Sequence, residues 1–549
     1  MFVLRLTTAF IQSCSEQSEA LHFHFFRKPD GYGKFGAHFF DHCMAFCLVA
    51  GNEAMDIFAV RVAIAHYETA WQVDEQKGWP VDVSGADRQA LYAGLGRAYE
   101  LAEAWPQARE TYQAMIAYAQ TIGAAAMECL GINRLATVYL SGSRDRQQAI
   151  ALLEQARTVA EQNEDRRGLA ETEWNLSLAA NQEQKTNLAR HHGEQALAIA
   201  RQLGHPQLLA RCLNSLSMVY TQLRRWDMVE VYADESRQLY AVAGDRVLAA
   251  DSQRMVGMSQ MLSGRPRDSL ATLQETLAFS QQIENLWGEA DCAWKLAHTC
   301  LELGYYGQAI SLGRQAVRQT RQVGPPFMGV LARSTWGIIQ RTIMALDSAR
   351  ETLLEVSVKF TKQGMIGWTD LAPAELCALH AIAGDWGQAT SYARQALHSR
   401  GDEPLLPVGL TGWYETEALL RGGDCDLARA EVERLSKIVG NNQRYRLPLL
   451  RSQAVLAQWD GDTDQAMTQL QAALALAQEI GLPGEEWPIL GALGALYADG
   501  GDQAQAQMSY KDSAAIILRL AETIDEEDFR AGFLAAGLVR SILEISEVV

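Results

Sequence analysis

The sequence predicts an all-α protein: a right-handed α-solenoid of about eleven helix–turn–helix repeats with a 40-residue period and a C-terminal capping helix. Three observations lead there. A helix-like phrase anchored on one alanine returns at Ala108, Ala149, Ala189, Ala309, Ala349, Ala389, Ala428, Ala466 and Ala506. Val229 and Ser269 fill the two slots between, and successive anchors lie 38 to 41 residues apart. A second small residue stands twelve positions before almost every anchor: Gly96, Ser177, Ser217, Gly257, Ala297, Gly337, Cys377, Thr416, Ala454 and Gly494, with Ala136 one residue further upstream of its own anchor. Finally, a glycine recurs as a helix stop after the second helix, at Gly123, Gly204, Gly244, Gly324, Gly364, Gly440 and Gly481.

Each element follows in order. Residues 1–44 match no repeat and read as an irregular N-terminal extension. The array runs over residues 45–523, entered through an earlier copy anchored at Ala63. Between small residue and anchor comes a turn rich in Gly and Asp, as in "LSGRPR", "IAGDWG" and "DGDTDQ". The small residues belong where two antiparallel helix backbones approach most closely. No single hairpin can bury its apolar face, so the hairpins must stack. Residues 524–549 read as a cap: Asp525 to Asp528 suit a helix start, and Phe529, Phe533, Leu534 and Val539 form one apolar stripe.

The pattern of small residue, turn, Ala, then a small residue seven later (Ala70, Ala156, Ala196, Ala316, Ala396, Ala473) resembles the tetratricopeptide repeat, in a longer, 40-residue variety. Met115, Thr276, Val356 and Leu435 depart from it at slots that the family fills with small residues. The segment Cys47 to Val73 resembles the entry into the helical-repeat sensor arm of signal-transduction ATPases with numerous domains, the class of the maltose-regulon activators. Ala521 to Leu543 resembles the closing helix of such arms. The resemblance implies a sensor or interaction arm of a bacterial-type signalling or transcriptional regulator. A nucleotide-binding domain does not fit into the ~45 residues before the array, and no helix-turn-helix output domain is expected after it. A free-standing adaptor for complex assembly is the alternative.

Composition narrows the function. With 549 residues, 48% hydrophobic and 21% charged, the chain is neither disordered nor collagenous. A net charge of −18 argues against a nucleic acid partner. No apolar run is long enough for a transmembrane helix, so no membrane partner is expected. Thr7, Thr8, Gln12 and Ser13 interrupt the short apolar stretch after Arg5, against a secretory signal. The nine cysteines are scattered. Cys292 and Cys300 would stand about 12 Å apart on a helix, too far to bridge. Reduced thiols in a cytoplasmic protein are expected.

No catalytic residue, cofactor or metal site is expected. "GYGKFG" (Gly31 to Gly36) matches a dinucleotide fingerprint but lacks the strand that should lead into it, and Lys28 and Phe35 spoil it as a P-loop. His38 and His42 share a helical face near Asp41, Cys43 and Cys47, which are zinc ligand types and leave a metal-dependent hydrolase as a remote alternative. Phe39, Phe40 and Phe46 give the same segment a packing face instead. The His22/His24 pair is weaker still.

Binding is expected in the groove lined by the first helix of each pair. Three residues before the small position lie Ala93, Asn133, Trp174, Asn214, Arg254, Trp294, Ser334, Ala374, Trp413, Arg451 and Gly491. Within this run Trp174, Asn214, Arg254 and Trp294 recur every 40 residues and would align as one column for a peptide, a protein or a small-molecule effector. Asn can clamp a peptide backbone, Arg can pair a carboxylate, and Trp offers flat contact area. Met218, Met258, Met261 and His298 would extend it one turn further. The same side chains could equally be packed or solvated. Arg254 has two possible partners, a ligand carboxylate or a neighbour such as Asp251 or Asp291.

Overall fold

The computed structural model describes residues 33–56, 59–75, 85–143, 145–183, 185–323, 326–363, 365, 368–401 and 406–546. The "GYGKFG" stretch begins outside them, and residues 1–32, with the His22/His24 pair, lie outside them entirely. Gly324 and Gly364, read as helix stops, fall outside as well. Two compact units are present, Met1–Ala179 and Ala180–Val549.

In the first unit the leading helix runs over Gly33–Asp56, so it starts within the segment read from sequence as irregular. His38 and His42 lie on it, with side chains outside the described residues. It pairs with Val60–Glu75 through Met44, Cys47, Leu48, Ala63, Tyr67 and Ala70. Antiparallel pairs follow, Gly85–Leu101 with Trp105–Ile122 and Ala125–Val138 with Arg146–Gln162. The unit ends within Arg166–Gln182.

The second unit continues the alternation from Thr186–Leu203 to Gln503–Glu522. The small-residue logic holds throughout both units. Every anchor from Ala63 to Ala506 is buried, and so are the small partners twelve residues upstream. At Gly257 an added Cβ would sit 2.7 Å from Leu273, and at Gly337 2.8 Å from Leu353. In both cases the obstacle is the residue one turn past the anchor on the second helix. Met115, Thr276, Val356 and Leu435 are buried too, so these larger side chains are absorbed rather than expelled.

The turn between paired helices places one residue in the left-handed region at a regular interval: Gly264 (φ 91°), Gly304 (φ 78°), Gly384 (φ 78°) and Gly461 (φ 79°). Arg224 (φ 52°) and Met344 (φ 64°) hold the same turn position without being glycine. A side chain there costs roughly 1–2 kcal/mol of backbone strain. Both side chains reach inward, Arg224 to Asp370 and Met344 to a cavity wall.

Within the second unit the solenoid closes on itself. Asn442 Nδ2 donates to the Leu262 carbonyl at 3.0 Å, about four and a half repeats away. The Gly307 amide donates to the Thr523 carbonyl at 2.9 Å, where an added Cβ would stand 2.3 Å from that oxygen. The Tyr306 amide donates to Thr523 Oγ1 at 3.1 Å. The cap consists of two short helices, Glu527–Ala535 and Gly537–Ile545, broken at extended Ala536. Phe533 and Val539 are fully buried, and Phe533 meets Tyr306 edge-on at 6.0 Å.

Candidate functional site

The first helices of the second unit carry charge into its interior, and the structure resolves what that charge meets. Arg254 is 1% exposed. Its Nε donates to Asp291 at 3.0 Å, its Nη2 is paired with Asp251, and its guanidinium lies 4.5 Å from the Trp287 ring centre. Asp291 also receives Lys295 and, at 3.0 Å, Trp294 Nε1. Burial works against each of these charges. For Arg254 the neighbouring Asp291 and Asp251 outweigh it and hold the pKa above the ordinary value, whereas for Lys295 burial prevails and the pKa falls. For Asp251, burial raises the carboxyl despite Arg254.

The groove residues expected from the sequence are therefore distributed differently. Arg254 has internal partners, Asp251 and Asp291, and is not offered to a groove. Trp294, Met258 and Met261 are buried as well. Asn214 is half-buried and accepts from Ser252 at 3.4 Å. Met218 is exposed. Trp174 is half-buried in the first unit. His298 lines an internal cavity.

That cavity, of about 110 Å³, lies inside the second unit. Three arginines and three glutamates line it. Arg341 Nε donates to Glu375 at 2.6 Å. Arg444 Nε donates to Glu302 at 2.5 Å and its Nη2 to Glu485 at 3.0 Å. Arg451 Nη1 donates to the other oxygen of Glu485 at 2.6 Å, and its guanidinium lies 3.6 Å from the Trp413 ring centre. Arg444 Nη1, the Tyr306 hydroxyl and Thr411 Oγ1 are buried with no partner. Burial lowers the pKa of Arg451, which shares Glu485, and burial likewise lowers that of His298. The Tyr414 hydroxyl is pushed up to about 12, burial being the main cause.

Beside the cavity lies a second buried network. Arg224 Nη2 donates to Asp370 at 2.9 Å, and Arg400 reaches Asp370, Glu415 and Glu431 at 3.1, 2.7 and 3.0 Å. Trp413 and Arg451 were legible as inward slots. Arg341 and Arg444 were missed, although each stands seven residues, two helical turns, from a slot residue (Ser334 and Arg451) and so shares its face. No group of His, Cys, Asp and Glu able to hold a metal exists among the described residues, and no described helix is long and apolar enough to cross a membrane.

Paired helices stacked with this spacing of small residues define a tetratricopeptide-repeat-like α-solenoid. Solved structures agree. The chain is similar to one from the APC/C hetero-tetramer Cut9-Hcn1, with a TM-score of 0.55 and 14% identity over 91% of this chain and 96% of that one. Weaker likenesses are to aspartyl phosphate phosphatase F from Bacillus subtilis (TM-score 0.43, 11% identity, 67% of this chain and 95% of that one) and to a signal-transduction ATPase with a tetratricopeptide-repeat sensor from Pyrococcus horikoshii (TM-score 0.40, 13% identity, 67% and 54%). No protein-family model matches the chain, and neither does any curated protein.

Proposed function

We propose that this chain is a non-enzymatic scaffold that binds a protein or peptide partner, as the sensor or interaction arm of a signalling or transcriptional regulator. One observation carries the reading. In the second unit the first helices turn inward onto buried ion pairs, while apolar side chains recur in solvent on the second helices: Val231, Leu354, Val358, Leu427 and Met508. Single exposed apolar residues are ordinary. Their presence on four second helices, Trp226–Val242, Leu346–Lys362, Cys425–Ile438 and Gln503–Glu522, makes that face a better candidate for a partner than the filled groove, although Met218, Leu286, Phe327 and Trp459 are exposed on first helices.

The free-standing adaptor is the second reading, favoured by the likeness to a hetero-tetramer subunit that spans most of both chains. Fold likeness alone is an analogy. Affinity capture from the native cells, comparing wild type with Val231→Asp and Val358→Asp, tests both readings. A specific partner lost from the variants supports the scaffold. Its retention by both variants contradicts an outer-face site. An ATPase among the captured proteins favours the sensor arm, and a stable complex without one favours the adaptor.

A further inference from the structure

We propose that the cavity inside the second unit binds a small organic monocarboxylate, held by Arg341, Arg444, Arg451 and Tyr306. The donors are in place and unused. Arg341 spends only Nε on Glu375 and Arg451 only Nη1 on Glu485, so their remaining N–H groups have no protein partner among the described residues. Arg444 Nη1 and the Tyr306 hydroxyl are buried without one. The unmet Arg444 Nη1 and Tyr306 hydroxyl carry a desolvation cost that an acceptor removes, and guanidinium N–H groups suit a planar carboxylate best.

Charge parity selects among anions. Three guanidiniums already face three carboxylates, with Glu485 shared between Arg444 and Arg451. One further negative charge can be met by the free donors, but the double charge of phosphate would sit beside three glutamates with nothing to balance it. Ile338, Leu410 and Leu482 add an apolar part of the wall that suits a short carbon skeleton, beside the polar His298, Thr342, Thr411 and Tyr414. A cavity of about 110 Å³ takes roughly three or four waters or a ligand of about six heavy atoms.

The test uses the purified full chain without any partner protein, so its outcome is independent of the scaffold reading. Acetate, propionate, butyrate and pyruvate are titrated by calorimetry and thermal shift in mildly alkaline buffer, with propionamide as the uncharged comparison and inorganic phosphate, doubly charged there, as the dianion. At least one carboxylate should bind saturably and raise the melting temperature, while propionamide and phosphate should not. Arg451→Lys keeps the pair with Glu485, and Tyr306→Phe removes only a hydroxyl. Each should weaken the binding at least tenfold with the unliganded melting temperature shifted by only a few degrees. Absence of binding by all four carboxylates, equal affinity for phosphate, or unchanged affinity in both variants would overturn the proposal.

Discussion

Arg444, the second residue of helix Gln443–Trp459, donates through Nε to Glu302, the last residue of helix Leu286–Glu302, at 2.5 Å across 142 residues of sequence. The Arg444 side chain is 2% exposed, so this is a buried contact between successive turns of the solenoid and not a surface decoration. Arg224 and Asp370 repeat the arrangement 146 residues apart. Such pairs give little net stability when intact, because desolvation offsets attraction. Losing one partner is different, since it strands a charge in the interior. The closed turn is thus specified as much by what would be left unpaired as by what is paired.

The small-residue slots are expected to be intolerant of even one methyl group. In Gly257→Ala the new Cβ would meet the Leu273 side chain at 2.7 Å. Overpacking of this kind costs about 1–3 kcal/mol. Urea melts should show that loss, and Gly257→Ala should cost less in a Leu273→Ala background, where the obstacle is gone, than in the wild-type chain. The same comparison at Gly337 and Leu353 is expected to agree.

Arg254→Ala is expected to be a stability variant. Removing the guanidinium leaves Asp251 and Asp291 without it, a loss of about 3–5 kcal/mol for a broken buried pair. Thermal melts check the size, and affinity capture should recover the same partners as wild type. A variant of normal stability that loses a partner would mean that Arg254 does face a ligand.

The period and the burial of each anchor were legible because backbone proximity leaves only one solution, a small side chain, and that solution repeats. The fate of the charged column was not. Arg254 could meet Asp251, Asp291 or a ligand, and nothing in a linear sequence says how tightly a solenoid coils. That coil decides whether first helices line an open groove or close over one another. Arg341, Glu302 and Glu485 meet around one cavity only because residues more than 140 positions apart are brought into contact. Only the two-turn spacing from the slot residues hinted at Arg341 and Arg444.

Acid should weaken the second unit through His298. Burial holds this imidazole below its ordinary pKa, with Glu302 and Glu375 opposing and Arg444 and Arg341 reinforcing the shift. The native chain therefore binds fewer protons there than the unfolded chain, whose histidine titrates near pH ~6.5. Its contribution is present in full above that pH and is lost as pH falls below it. His298→Gln should flatten the fall of melting temperature between about pH 6.5 and 5. An unchanged profile would show that His298 is not held neutral.

The closed turn itself is tested most directly by a double-mutant cycle on Arg444 and Glu302, read by urea unfolding. The single variants Arg444→Met and Glu302→Gln, the double variant and wild type supply the four corners. Residues in contact couple by about 0.5–3 kcal/mol, whereas distant residues add within roughly 0.3–0.5 kcal/mol. Coupling above about 1 kcal/mol is expected here. Additive single effects would contradict it, since two residues 142 positions apart in an open solenoid have no means to sense each other.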